Sequence, residues 1–372
     1  MLNVELESKA LKSWFDVIAY QCDCGRYPYL LSDKSGFQTV LQSIYCEITP
    51  NCNNHCPGCG NVFGERPAIR EPVLSSHDWA RIFETFLPQV SHVVITGGEP
   101  TLHPHFFEIL DAIDSYSVDY TIFTNARWPH SEDLIDMLKR KKRLKGLVIS
   151  LHGIDDRTHE AFTQTPGSYR ETIENIDRAV SAGIPVVLST VITAYNVDLV
   201  SEICALARRL GSAGVSFNRL IGAAPSRLDP MPDRLSFALT TIASLSASGE
   251  GIRTGAAIPH CFFPSSTTVC GAGASFVTMD PWGNVRPCNH STIIAGNALS
   301  DSARTILQSE ALRNWRGFVP EPCKGCSLFH ICGGGCKAES FRSRKRADPL
   351  IRTPIHWMPE ETAYRPAIHA PN

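Results

Sequence analysis

Cys52-Asn53-Asn54-His55-Cys56-Pro57-Gly58-Cys59 is the stretch from which this chain is best read. Its three cysteines are spaced C-x3-C-x2-C and follow a β-branched run at residues 44–49. Pro57 and Gly58 supply a turn that lets Cys56 and Cys59 face one point. Thiolates are soft ligands that select zinc, copper(I) or iron–sulfur clusters. A structural zinc site takes a fourth protein ligand nearby. Three cysteines on a four-iron cluster leave one iron open to a small molecule. The triplet alone leaves both readings standing.

On either side of it the chain alternates strand-like and helix-like runs. Strands are expected at residues 44–49, 93–96, 120–123, 147–150, 186–191 and 215–217. Helices are expected at 75–87, 105–113, 132–138, 169–182 and 199–210, the first opened by Ser75-Ser76-His77-Asp78. Such repetition implies a parallel sheet wound right-handedly, with helices outside. Function should then sit at the C-terminal ends of the strands. Gly97-Gly98-Glu99-Pro100 falls there, after the second strand. Its glycines allow close backbone approach to a ligand, and Glu99 offers an acceptor for an ammonium group. Asn125, Ser150, Ser189, Asn218 and Arg219 are further polar residues at strand ends.

A second cysteine field begins downstream. Cys270-x12-Gly283-x4-Cys288 is followed by Cys323-x2-Cys326-x5-Cys332-x3-Cys336, with Cys261 just ahead. Asp280-Pro281-Trp282-Gly283 reads as a hairpin turn, and Gly333-Gly334-Gly335 lets the chain fold tightly between Cys332 and Cys336. Of the 14 cysteines, the clustered ones point to metal rather than disulfides. Cys46 and Cys204 read as packing residues, and the lone Cys22-x-Cys24 pair carries no strong metal signal.

With 372 residues, 43% hydrophobic and 19% charged, the chain is globular and should form one large and one smaller domain. A net charge of −2 gives no electrostatic case for nucleic acid. No apolar run reaches membrane-span length, and the N-terminus lacks a secretory pattern, so a cytoplasmic location is expected. The basic run Arg342-Ser343-Arg344-Lys345-Arg346 reads as a solvated face.

The triplet after strand one and Gly97-Gly98-Glu99-Pro100 after strand two resemble the radical S-adenosylmethionine (radical SAM) enzymes. The second cysteine field resembles the SPASM domain that carries auxiliary clusters in many of them. The resemblance implies a partial (β/α)6 barrel over residues 43–229, a linker helix over 230–254 and a SPASM domain over 255–351. Residues 1–42 are expected to be an N-terminal extension and 352–372 a disordered tail.

It further implies S-adenosylmethionine (SAM) and three [4Fe–4S] clusters, one binding SAM and two auxiliary. Cys52, Cys56 and Cys59 would hold the first cluster. Gly97, Gly98, Glu99 and Pro100 would hold the amino group of SAM, and Asn125, Ser150, Ser189 and Arg219 its other parts. Cys270, Cys288 and Cys336 would hold the nearer auxiliary cluster, with Cys261 as fourth ligand. Cys323, Cys326 and Cys332 would hold the farther one.

Three departures stand out. The family's seventh SPASM cysteine, often just after an Asp-Pro, is missing at Asp348-Pro349-Leu350-Ile351. Asp348 is the favoured substitute, ahead of water, substrate, Cys22 or Cys24. Gly58 occupies the place of an aromatic residue that many members keep near adenine, so that stacking is either absent or supplied from elsewhere, with Phe63 the candidate. Asn289, not Asp, follows Cys288, which counts against formylglycine-forming sulfatase maturation.

The implied activity is reductive cleavage of SAM to a 5′-deoxyadenosyl radical, with hydrogen abstraction from a ribosomal peptide or protein substrate. Sulfatase maturation and dehydrogenation of a small molecule are the alternatives. Flavodoxin or ferredoxin would donate electrons. Residues 1–42 are short for a recognition domain of their own, which leaves room for a discrete peptide-recognition protein.

Overall fold

A computed structural model describes residues 41–62, 72–222, 224–249 and 251–352. The expectations for the N-terminal extension, Cys22, Cys24, Phe63 and the segment after residue 352 lie outside the described residues.

Six βα steps follow one another as expected. Strands β1 (Ser43–Glu47), β2 (His92–Thr96), β3 (Asp119–Thr124), β4 (Leu144–Ser150), β5 (Val186–Ile192) and β6 (Gly214–Arg219) pair in parallel, each with the next. Between them run α1 (Ser76–Phe86), α2 (Phe106–Asp114), α3 (Ser131–Leu138), α4 (Asp156–Thr163), α5 (Ser168–Ser181) and α6 (Val200–Arg209). The first helix shows the local logic. Ser75 and Asp78 form a reciprocal capping box, and Trp79, Ile82, Phe83 and Phe86 recur at helical spacing to make one buried stripe.

Helix α4 was not expected. Its buried side chains are Thr158, His159, Phe162 and Thr163, so burial is carried mostly by polar residues and hydrophobic periodicity is silent there. Asp155 caps it through Thr158.

The strands have two distinct faces, as their period of two requires. Tyr120, Ile122, Leu147, Ile149, Leu188, Ile192, Val215 and Phe217 point into the main core shared with the helices. Alternate positions, Phe123, Val148 and Val187, form a small cluster of their own on the other face. Toward the C-terminal ends that second face turns polar, through Ser150, Ser189 and Asn218.

The sheet does not stop at six strands. After α7 (Pro232–Ala247), the last residues of the expected linker form β7 (Ile252–Thr254), parallel to β6. On the opposite edge β8 (Phe276–Met279) pairs in parallel with β1, from Ser43↔Phe276 to Cys46↔Met279. It turns at Asp280–Gly283 into antiparallel β9 (Asn284–Arg286), which pairs with β10 (Gly296–Asn297). One sheet therefore runs β10-β9-β8-β1-β2-β3-β4-β5-β6-β7. The second cysteine field is built on the strand edge beside the first.

A buried ion pair fixes that junction. Arg286 on β9 donates to Glu47 at the end of β1, with Arg286 0% and Glu47 2% exposed. The same guanidinium donates to the carbonyls of Asn289 and Ser291 at 3.0 and 2.8 Å. Removing one partner from such a pair strands a buried charge, at a cost of about 3–5 kcal/mol. Glu47→Leu or Arg286→Met alone should lower the thermal unfolding midpoint markedly. The double variant should recover much of the loss, as a double-mutant cycle by calorimetry would show.

Candidate metal centres and their surroundings

The first cysteine loop leaves β1 through Ile48–Asn51 and is held from both sides. Gly98 N–H donates to the Thr49 carbonyl and Glu99 N–H to the Asn51 carbonyl, both at 2.7 Å. A Cβ on Gly98 would lie 2.1 Å from the Asn51 oxygen, and one on Gly97, whose φ is +146°, 2.6 Å from the Thr49 oxygen. These two glycines therefore serve the approach of one loop to another. The Cys59 N–H reaches the Cys56 carbonyl at 3.2 Å, closing the Pro57–Gly58 turn. His55 N–H donates to the Thr163 carbonyl at 2.9 Å, tying the loop to the end of α4.

Glu99 is fully buried. Its Oε1 accepts from the Thr101 and Thr124 hydroxyls at 2.7 and 2.8 Å, and its Oε2 from Asn125 N–H at 2.8 Å. Four hydrogen bonds, including one from Thr101 N–H, oppose the burial that pushes its carboxyl pKa up. The expected acceptor for an ammonium group is thus an internal brace joining the ends of β2 and β3, with spare acceptor capacity on Oε2. Pro100 is buried at the start of the short turn that Glu99 caps. Asn125 continues the brace: its Nδ2 donates to Asn53 Oδ1 at 2.7 Å and lies 3.7 Å from Cys52 Sγ.

Sequence reasoning missed Arg127. It donates to the Asn53 carbonyl and to Asn54 Oδ1 and pairs with Glu171 on α5 at 2.9 Å. No motif marks it, since its loop partners lie some seventy residues earlier in the chain and Glu171 lies 44 residues later. Ser150 and Ser189 stand side by side in register on β4 and β5. Asn218 Nδ2 donates to Ser189 Oγ at 3.2 Å, extending the polar row onto β6.

The departure at Gly58 has a steric counterpart. A Cβ there would sit 2.9 Å from Leu220, 3.1 Å from Phe162 and 3.3 Å from Leu228. Those three form a buried cluster against Cys56, so the space of a side chain at 58 is already filled. Gly60 is likewise tightly enclosed: its Cβ would lie 2.2 Å from the His290 ring. The first loop thus touches the segment that follows Cys288. Burial, aided by Arg342 and Arg286, pushes His290 down to about 4, so it is a neutral imidazole at pH 7.

The second field separates into two sets. Burial raises the Cys288 thiol to about 12, and neighbouring Cys270 adds to the rise. Cys336 is raised well above the thiol range by burial and again by Cys270. Cys323 is pushed up to about 12 by burial, then by Cys332, Cys261 and Cys326. These last four cysteines line one hollow with His260, Phe329 and Ile351.

Three expectations change here. Cys261 lies with Cys323, Cys326 and Cys332, not with Cys270, Cys288 and Cys336. Asp348 is not offered to a cluster: its Oδ1 accepts from Arg219 Nη1 and Leu350 N–H, and its Oδ2 from Arg219 Nη1 and Cys336 N–H. Both oxygens are fully engaged. Arg219 changes with it, because this 2.7 Å pair buries the guanidinium expected at SAM.

The donor chemistry fits iron–sulfur clusters. Burial raises Cys56, and the charges of Cys59 and Cys52 raise it further, so gathered thiolates call for a strongly cationic partner. Among the described residues no group of three His, Cys, Asp or Glu is tight enough for a single metal ion. The twelve described cysteines are all free of disulfides. Among the described residues no helix is long and apolar enough to cross a membrane.

The radical SAM superfamily model matches residues 46–210, and the SPASM iron–sulfur cluster-binding domain model matches residues 270–327. The mycofactocin maturase MftC of Mycolicibacterium smegmatis is 29% identical, over 82% of this chain and 81% of its own. The AdoMet-dependent heme synthase of Oleidesulfovibrio alaskensis is 24% identical over 84% and 86%. The PqqA peptide cyclase of Xanthomonas campestris pv. campestris is 26% identical over 87% and 90%. Streptococcus suis SuiB bound to precursor peptide SuiA superposes with a TM-score of 0.70 at 17% identity, covering 84% of this chain and 76% of that one.

Gly98→Ala drives a methyl group into the Asn51 carbonyl, so it should displace the root of the first loop. The expected result is loss of iron from the Cys52, Cys56 and Cys59 set alone, read as a partial fall in iron per chain. Unchanged iron and SAM affinity would show that the close approach is dispensable.

Proposed function

Because the chain belongs to the radical SAM enzymes and carries a SPASM domain, we propose that it modifies a ribosomally made peptide. Its cofactors are SAM and [4Fe–4S] clusters. Together, when bound, they supply a 5′-deoxyadenosyl radical that abstracts a hydrogen atom from substrate carbon. The observation that carries the reading is one sheet holding three thiol sets, the first of them beside a polar row of strand ends.

The chain's own residues bind and aim. Cys52, Cys56 and Cys59 would hold the SAM-binding cluster, and Glu99, Asn125 and Arg127 keep their loop in one conformation. Gly97, Gly98 and Pro100 set the backbone that would hold the amino group of SAM. Ser150 and Ser189, with Asn218 behind Ser189, offer hydroxyl and amide groups to its polar end. Phe162 and Leu220 fill the apolar side that an aromatic residue at 58 would occupy. His290 packs between Gly60 of the first loop and the segment after Cys288, joining the two cysteine fields.

A peptide substrate is supported by the PqqA peptide cyclase relative and by the fold shared with peptide-bound SuiB. A crosslink or another net two-electron oxidation of a residue is the proposed outcome. The heme synthase relative favours a second reading, a small-molecule substrate. Flavodoxin or ferredoxin is the proposed electron donor, with a discrete protein presenting the peptide. Unpaired thiols in this number suit a reducing compartment, the cytoplasm.

Cys52→Ala/Cys56→Ala/Cys59→Ala should fold and keep auxiliary iron but form no 5′-deoxyadenosine under reduction. The native enzyme, co-expressed with a short peptide encoded beside it, should give product lighter by two hydrogens in mass spectrometry. Turnover of a tetrapyrrole or sugar precursor, with the peptide untouched, would replace the peptide reading by the second.

A further inference from the structure

The hollow around Cys323, Cys326 and Cys332 contains a fourth sulfur from an unexpected part of the chain. We propose that Cys261 is the fourth ligand of that set, standing in for the missing seventh SPASM cysteine, and that Cys270, Cys288 and Cys336 are left as a three-thiolate set. The inference rests on the reading that these thiols hold iron–sulfur clusters.

The local geometry assembles it. Phe262 and Phe263 N–H groups both bond to the Pro259 carbonyl, at 2.9 and 3.0 Å, so Pro259–Phe263 is a tight turn. The turn presents His260 and Cys261 together. His260 N–H donates to Cys332 Sγ at 3.3 Å, so the backbone beside Cys261 is in direct contact with a sulfur of the set. Gly335 allows the approach: a Cβ there would lie 2.6 Å from Pro259 Cγ and 2.5 Å from Asp348 Oδ2.

The segment that lacks a cysteine has acquired another task. Ile351 N–H bonds to the Asp348 carbonyl at 2.9 Å and Leu350 N–H to Asp348 Oδ1 at 2.9 Å. That turn aims Arg352 N–H at Cys261 Sγ, 3.3 Å away. Amide-to-sulfur hydrogen bonds of this kind tune a cluster's potential. Residues 348–352 thus support the fourth thiolate where the family would provide it. Cys270 is the thiol beside both Cys288 and Cys336, and these three make up the other set. The farther set, closed by four thiolates, is suited to carrying electrons.

The test uses the reconstituted full chain and electron paramagnetic resonance of the dithionite-reduced protein. Cys261→Ala should alter one auxiliary signal and speed iron loss to a chelator by about tenfold or more. Adding Ile351→Cys, a position that lines the same hollow, should restore both. Cys261→Ser gives the same comparison if the alanine variant folds poorly. An unaltered spectrum, or an altered one that Ile351→Cys fails to restore, overturns the assignment. Absence of auxiliary iron and sulfide from the native chain would instead overturn the cluster reading itself.

Discussion

Strand β1 is the shared wall of the molecule, and the Glu47–Arg286 pair holds it in place. On one side β2 brings Gly97, Gly98 and Glu99 against the root of the first cysteine loop. On the other side β8 and β9 bring Arg286, Cys288 and His290. Burying a carboxylate and a guanidinium is costly, and such a pair is weak evidence for stability. Its value here is positional. The same guanidinium that neutralises Glu47 also holds the carbonyls of Asn289 and Ser291, so the loop after Cys288 cannot shift without exposing a buried charge.

A second buried pair plays the corresponding role toward the other side of the sheet, at the end of β6. Arg219 ends β6, and Asp348 belongs to the turn that supports Cys261. Asp348 also accepts the backbone N–H of Cys336, a member of the other auxiliary set. One carboxylate therefore couples the end of β6, the three-thiolate set and the four-thiolate set. Movement at any of these would be felt at the others, because the interaction is dry and every acceptor site on the carboxylate is used.

Much of this was legible in the chain. The βα alternation, the C-x3-C-x2-C loop, the glycine pair and the Asp280–Gly283 turn are local features, and local chemistry dictates them. Cys46 and Cys204 read as packing residues and lie in the main core. Other features depend on distant contacts. Nothing near Cys261 says which cysteines it will meet, since a tight turn at Pro259 and a glycine at 335 decide it. Asp348 has the chemistry of a ligand, and only its contact with Arg219 removes it from that role. Glu99 has the chemistry of an exposed acceptor, yet the hydroxyls of Thr101 and Thr124 draw it inward. Helix α4 escaped because polar residues carry its burial.

The central claim is that three separate thiol sets on one sheet each hold an iron–sulfur cluster. Anomalous scattering at the iron edge from anaerobically grown crystals of the full chain tests it most directly. The expected map has three compact iron groups, roughly twelve irons if all are four-iron clusters, beside Cys52, Cys56 and Cys59, beside Cys270, Cys288 and Cys336, and beside Cys261, Cys323, Cys326 and Cys332. Single-ion peaks at the zinc edge in the second cysteine field, or no iron beside Cys52, would contradict it.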